Sequence, residues 1–544
     1  SSFAYVLICF GGNGPVIGSL DHTRASGEVR PNSSLGKVLL MSVSLFRGLG
    51  AVAPILLIAQ AAHADLSAQD VWSDWKSYMS DTGYDVTASE AFENGTLKVT
   101  DIAMSMDIDG DTVSVTMGAL DFIENGDGSV NVVMPAEFPM AFDVNSDGEA
   151  VTGSLLYTHD GSPMVVSGDT SEMEYSYAVD KGTITLNDLV IEGEAVPTDV
   201  AALTLTMNDI ASNTVMKIGD LRSYTQSMTV ASLAYDFMFQ DPEGDDGAAF
   251  NGVIEGVNFD GDAIVPELED PSDVAAMLNA GMAYDGKFTF ESGSSNAKGS
   301  DGSDNFEIQT TSNGGEFNIG LSPEGLTYDV IQSDTTLNMT GSDFPFPISL
   351  SMAEMGVNFA MPLTKSEEEQ DFALGLALRE FAVPEMLWGL IDPTGELPHD
   401  PANLVVDLTG TGKLFFDLTD EEQMAAVEDG EEVPGEVNSL KINEVLLSAA
   451  GAELTGTGDF TFDNSDLESF DGMPAPSGEA NLQLVGANAL IEKLIGMGLL
   501  SEDDAMGARM MMGMFAVPAG DDTLTSKIEV NDEGHVLANG QRLK

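Results

Sequence analysis

The sequence predicts a mainly β protein with a few helices: a β-rich α+β chain of extended, curved antiparallel sheets, with helices packed near the N- and C-termini. Three observations carry this reading. From about Phe92 to Phe462 apolar residues alternate with polar ones, the period of strands buried on one face. Asx-Gly turns separate the runs, at Asp109-Gly110, Asn125-Gly126-Asp127-Gly128, Asp147-Gly148 and Asp160-Gly161, as in an antiparallel meander. A helical period is confined to a few segments, chiefly near the two ends.

The first of these segments is an address. Met41 and Arg47 open a short basic region, Gly48 to Ala59 is apolar, and Ala62-His63-Ala64 is a small-x-small cleavage site. Residues 41–64 are expected to be a signal peptide cleaved before Asp65. Residues 1–40, with Cys9, are expected to be upstream translation without ordered structure, Met41 being the true start. The apolar run is shorter than the ~20 residues of a spanning helix, so a transmembrane protein is not expected. The export signal points to the periplasm of a Gram-negative bacterium.

In the exported part, Val71, Trp72, Trp75, Tyr78 and Met79 share one face of a helix, which Gly83 stops. This helix is expected to pack on a sheet and to open an N-terminal β region, residues 65–400. Val99, Val113, Val115, Val130 and Val132 mark its first strands. One signature recurs at Leu97–Ile102, Ile184–Leu189, Leu205–Ile210 and Leu440–Val445. In each, two alternating apolar residues precede a polar-acidic pair, and the next apolar residue arrives one position late, as a bulge requires. Short helices are expected from Ser272 to Ala280 and from Thr419 through Glu422. The C-terminal β region, 401–544, carries two helices, Ala487–Leu500 and Met506–Phe515. Strands from Thr523 to Val530 and from His535 to Ala538 close the chain.

Composition bounds the function. The chain carries 20 Lys+Arg against 90 Asp+Glu, a net of −70. Setting aside Arg24, Arg30, Lys37, Arg47, Asp21 and Glu28, the exported part holds 16 against 88, a net of −72. Such a field repels phosphate backbones and anionic membrane surfaces, which excludes a nucleic-acid partner. It fits a halotolerant protein, and the melting temperature is expected to rise from dilute buffer to molar sodium chloride as the self-repulsion is screened. The one cysteine is Cys9. The exported part therefore has no disulfide, no cysteine for a lipid anchor and no thiolate for a structural zinc site.

Chemistry-bearing motifs are few. Asp143, Asn145 and Asp147 match the first half of a calcium loop, but its twelfth position is Ser154 rather than a bidentate Glu. They read as acidic hairpin residues and are weak metal candidates. His159, His399 and His535 are far apart. No nucleophile elbow, Walker lysine or H-E-x-x-H is present. No catalytic residue and no cofactor are assigned. Met506, Met510, Met511, Met512 and Met514 make the most distinctive apolar element. They are expected to pack on the sheet as core; the alternative is a groove for a lipid or peptide, lined by Met506, Met510, Met511 and Met514. The function expected is a non-catalytic periplasmic protein that binds a lipid or envelope component in an apolar β groove. The alternatives are an envelope hydrolase using carboxylates and a calcium-responsive structural protein.

Five pieces carry a resemblance. They are the Trp72/Trp75 helix with Gly83-Tyr84; Leu387-Trp388 through Asp400-Pro401-Ala402; and Gly451 to Gly458. The others are Asp471 to Pro476 with Gly486 to Leu490 and Arg509-Met510; and Gly534 to Leu543. Together they resemble the alphaproteobacterial domain of unknown function 2125 family, in its marine Rhodobacteraceae-like branch, over residues 65–544. The resemblance implies no activity and no catalytic residue.

Overall fold

The computed structural model describes residues 66–544 apart from positions 82, 109–110, 147–148, 220, 242–243, 245, 269–272, 421–423, 426, 428–432 and 532. The signal segment, Cys9, Asp65, Ser272, the turns at 109–110 and 147–148, and most of the helix expected from Thr419 lie outside the described residues.

Helix α1 (Ala68–Asp81) opens on a reciprocal cap. The Asp70 amide donates to Ser67 Oγ at 3.1 Å, and the Ser67 amide donates back to Asp70 Oδ2 at 3.0 Å. Gly83, at φ +92°, ends it, as its sequence position predicts. Thirteen strands follow: β1 (Asp85–Glu93), β2 (Thr96–Ile108), β3 (Asp111–Met117), β4 (Leu120–Glu124), β5 (Val130–Val133), β6 (Glu137–Ser146), β7 (Glu149–His159), β8 (Met164–Asp169), β9 (Glu172–Ile191), β10 (Glu194–Val196), β11 (Ala201–Lys217), β12 (Leu221–Gln240) and β13 (Gly247–Pro266). Then come α2 (Val274–Asn279), capped by Asp273, and β14 (Ala283–Phe290), β15 (Ser292–Asp301), β16 (Asp304–Ser312), β17 (Gly315–Ser322), β18 (Gly325–Gly341), β19 (Ile348–Met361) and β20 (Gln370–Phe381). Helix α3 (Glu385–Ile391) leads to β21 (Ala402–Leu414), β22 (Gly435–Ala449), β23 (Ala452–Asp463) and β24 (Ala475–Val485). Helices α4 (Ala487–Gly496) and α5 (Glu502–Phe515) precede β25 (Val517–Gly520), β26 (Thr523–Val530), β27 (Val536–Ala538) and β28 (Gln541–Arg542).

All 28 strands join one antiparallel sheet, and β20 pairs with β21 across residue 400. Long strands are flanked by pairs of shorter ones laid end to end. β2 pairs with β4 through Val99 and with β3 from Ile102; β9 pairs with β8 up to Ser176 and with β7 from Gly182.

Three of the four copies of the recurring signature carry the bulge that it predicts. Asp101 and Asp209 sit at φ +54° and +47° inside their strands. Asp101 and Ile102 stand against Ala88 alone, a bulge; at Asp209 the register is kept, Asn208 pairing with Lys181 and Ile210 with Val179, and no bulge forms. The extra residue returns the apolar side chain to the same face: Leu97, Val99, Ile102 and Met104 are all buried despite the odd step between Val99 and Ile102. Register shifts fall in the other two copies, near Asp188 and at Asn443. Positive φ also occurs at Gly256, Gly314, Asp334 and Glu380, making a transverse crease across the sheet. Because a left-handed backbone suits glycine and strains a β-branched residue, Asp209→Gly is expected to keep the melting temperature. Asp209→Val is expected to cost about 1–2 kcal/mol in thermal denaturation.

The sheet is rolled around its own apolar face. Trp72 and Trp75 of α1 meet Phe122 on β4 with ring centroids 5.8 and 5.4 Å apart. On the same helix, Tyr78 meets Tyr224 on β12 at 5.4 Å. Trp72 Nε1 also donates to Glu90 on β1 at 2.8 Å, while Asp74, two residues on, meets Arg222 on β12; β1 and β12 are seven ladder steps apart, about 34 Å on a flat sheet, against a helix about 21 Å long. The sheet must therefore curve around α1, which closes one end of the rolled core.

The C-terminal helices differ from expectation. The Met segment does not pack as core: Met506, Met510, Met511 and Met514 are 67, 68, 59 and 52% exposed, and Ala505 is the buried residue of α5. α5 lies against α4, which in turn lies on β23, and among the described residues nothing covers its Met face. Leu490, Ile491, Leu494 and Ile495 on α4 are half-buried rather than fully packed.

Candidate functional site

One apolar row crosses the sheet. It runs through the paired residues Tyr177, Ser212, Met228, Phe259, Phe288, Phe317, Val330, Val357, Leu376, Val406 and Val445, on eleven successive strands from β9 to β22. The next row along the same strands points to the other face and is mostly polar: Asn318, Asp329, Asn358, Asp407 and Glu444, with Gly375 between them. A period of two over so many strands makes one face apolar and the other largely polar, with Val405 on that second face buried.

The row does not stay buried. Tyr177, Met228, Phe288 and Phe317 are about one-twentieth exposed, whereas Val357 and Leu376 are 40 and 44% exposed. The neighbouring positions Met355, Leu374, Leu404 and Leu447 are exposed as well. The rolled core thus continues without interruption into an open apolar trough. From β19 to β22 the open stretch spans three strand spacings, about 14 Å. One leaflet of a bilayer's hydrocarbon is about 15 Å deep, so the trough is comparable in length to one acyl chain.

The closed end is locked by a buried polar cluster that the sequence alone does not show. Arg222 Nη1, at the start of β12, lies 2.7 Å from Asp74 Oδ1 on α1, and both side chains are nearly inaccessible. The Tyr175 hydroxyl donates to Asp74 Oδ2 at 3.1 Å. Burial raises the pKa of Tyr175 well above its ordinary value, and the Asp74 charge adds to this. Tyr78 and Tyr224 are raised by burial too, so the phenols stay protonated donors.

Two histidines serve structure. His159 Nε2 lies 2.9 Å from the Pro135 carbonyl, and its Nδ1 accepts from the Gly161 amide and the Tyr177 hydroxyl, both at 3.2 Å. This pattern fixes the tautomer with its proton on Nε2. His399 stacks on Trp388 at 4.4 Å, and its Nδ1 is 2.9 Å from Glu385.

Among the described residues the two buried carboxylates are Asp74 and Asp392. Asp392 accepts from the Leu397 amide at 2.6 Å and from the Thr394 hydroxyl at 3.2 Å. The Leu397 hydrogen bond does most to hold its carboxyl down at about 2. A carboxyl with a folded pKa below its unfolded one stabilises above the unfolded value, and that contribution is lost as the pH falls through the folded one. The melting-temperature gap between the native chain and Asp392→Asn is therefore expected to narrow from about pH 5 to about pH 2.

The sequence candidates fall elsewhere. Asp143 and Asn145 stand exposed on the extended strand β6 rather than in a wrapping loop, and Asp147 lies outside the described residues. Among the described residues no three His, Cys, Asp or Glu side chains gather as a metal site. Met506, Met510, Met511 and Met514 stand on α5 beyond the end of β24, away from the row through Val357 and Leu376. No described helix is long and apolar enough to cross a membrane.

Comparison with curated proteins finds no match. A family model, described as an uncharacterized protein conserved in bacteria, matches residues 265–538, half of the chain. The matched part holds the open trough and α3 to α5. On that match, which holds the resembling pieces from Leu387 to Met510 and the start of the last one but not the Trp72/Trp75 helix, the chain belongs to the DUF2125 family.

Proposed function

We propose that this protein is an exported, non-catalytic carrier of the periplasm that holds the acyl chain of a lipid or lipid-linked envelope component in the open trough. The observation that supports this most is the apolar row that passes from a core closed by α1 into solvent at Val357 and Leu376. An apolar row this exposed is costly unless something covers it: each Leu-sized side chain gains about 1.5–3 kcal/mol on full burial. The signal-like segment at 41–64 supports export, with Asp65 as the mature N-terminus. Peptide sequencing of the exported protein tests that part.

The ligand is tested by mass spectrometry of organic extracts from protein purified out of its native envelope. A lipid in near-stoichiometric amount is expected. It should be lost in a folded Leu376→Asp variant, because Leu376 is exposed enough to accept a charge without unfolding. Folded native protein free of lipid would overturn the reading.

A further inference from the structure

The trough is not the only unpartnered apolar surface. Helices α3, α4 and α5 all lie at one end of the C-terminal sheet. They follow β20 and β24, whose last residues align with the β22–β23 turn through Leu378–Leu404, Leu404–Leu447 and Glu453–Val485. The three segments are in close touch. A Cβ at Gly451 would meet Pro398 at 2.8 Å, and one at Gly486 would strike the Gly451 carbonyl.

This end presents apolar side chains outward. Met506, Met510 and Met514 fall at i, i+4 and i+8, a single stripe flanked by Met511, and each is more than half exposed. Leu390 and Ile391 on α3 are 68 and 56% exposed. The opposite side of α5 is already used, by buried Ala505 and by the Arg509–Glu492 ion pair to α4. Its first turn carries Glu502, Asp503 and Asp504, all exposed.

We propose that this helical end is a docking surface for a cationic amphipathic helix of another protein. Flexible methionines adapt to the side chains of a helix laid across them. The surrounding carboxylates, on a chain of net charge −70, select a basic partner. A bilayer fits less well. Helices that lie in membrane interfaces carry Lys and Arg on their polar face, whereas α5 has carboxylates there, which an anionic leaflet repels. The methionine stripe shares no residue with the trough, so the proposal stands whether or not the trough holds lipid.

The test is a titration of the full chain with a labelled Leu/Lys amphipathic peptide of about five helical turns, read by fluorescence anisotropy. Saturable one-to-one binding is expected. It should weaken at least ~10-fold when Met506, Met510, Met511 and Met514 are all changed to Ser, and again when Asp503 and Asp504 are changed to Asn. All six positions are exposed, so circular dichroism should show an unchanged fold; if the Ser variant unfolds, Met510→Ser alone is expected to weaken binding in the same direction. Affinity indifferent to every Met substitution would overturn the proposal, leaving plain attraction between opposite charges. Binding of phosphatidylcholine vesicles through the same methionines, with no saturable peptide binding, would overturn it in favour of a membrane.

Discussion

Asp74→Ala is expected to destabilise the protein by about 3–5 kcal/mol, because it removes one partner of a buried ion pair and leaves the other charge in the core. Arg222 and Asp74 have side chains only 12 and 6% exposed and lie 2.7 Å apart. The Tyr175 hydroxyl loses its carboxylate acceptor in the same step and keeps only the Met173 sulfur at 3.5 Å. The urea midpoint measures the loss. A double variant, Asp74→Ala with Arg222→Met, removes both charges and is expected to recover much of the stability, since an apolar replacement of a buried pair is often neutral. A single variant as stable as the native chain would mean that α1 is not held by this pair.

Phe122→Ala is the second large effect, at about 3–5 kcal/mol. Phe122 is fully buried and receives both Trp72 and Trp75, so its loss leaves a cavity under α1. Two of the three tryptophans are on α1. Their emission is therefore expected to shift to the red, together with a lowered denaturation midpoint. An unchanged spectrum in a destabilised variant would show that α1 stays seated by other contacts.

Much of this architecture was legible in local periodicity. Val71, Trp72 and Met79 lie on the face that the helical spacing assigns to the core, and all three are buried. The late apolar residue at Ile102 marks a bulge that the ladder shows at Asp101; at Ile210 it follows a left-handed Asp209 with the register unchanged. What was not legible depends on partners distant in the chain. Asp74 and Arg222 are 148 residues apart, and nothing local couples them. That β2 is flanked by β3 and β4 end to end, and that the sheet rolls around α1, follows from pairing and curvature rather than from any single strand. The Met helix departs from expectation for a related reason. A stripe at helical spacing says which residues share a face, but not whether another element covers it. The alternation through β19 and β20 likewise names Val357 and Leu376 as apolar-face residues without showing that the face opens there.

The carrier account is tested most directly by placing a photo-reactive benzoylphenylalanine at Val357, in the trough, or at Asn358, one residue along and on the opposite face. Each variant would be irradiated in native envelope, and the intact mass of the purified protein read. The account predicts a lipid-sized mass increase at position 357 and none at position 358. Equal labelling at both positions, or none at 357 in a folded protein, would contradict it.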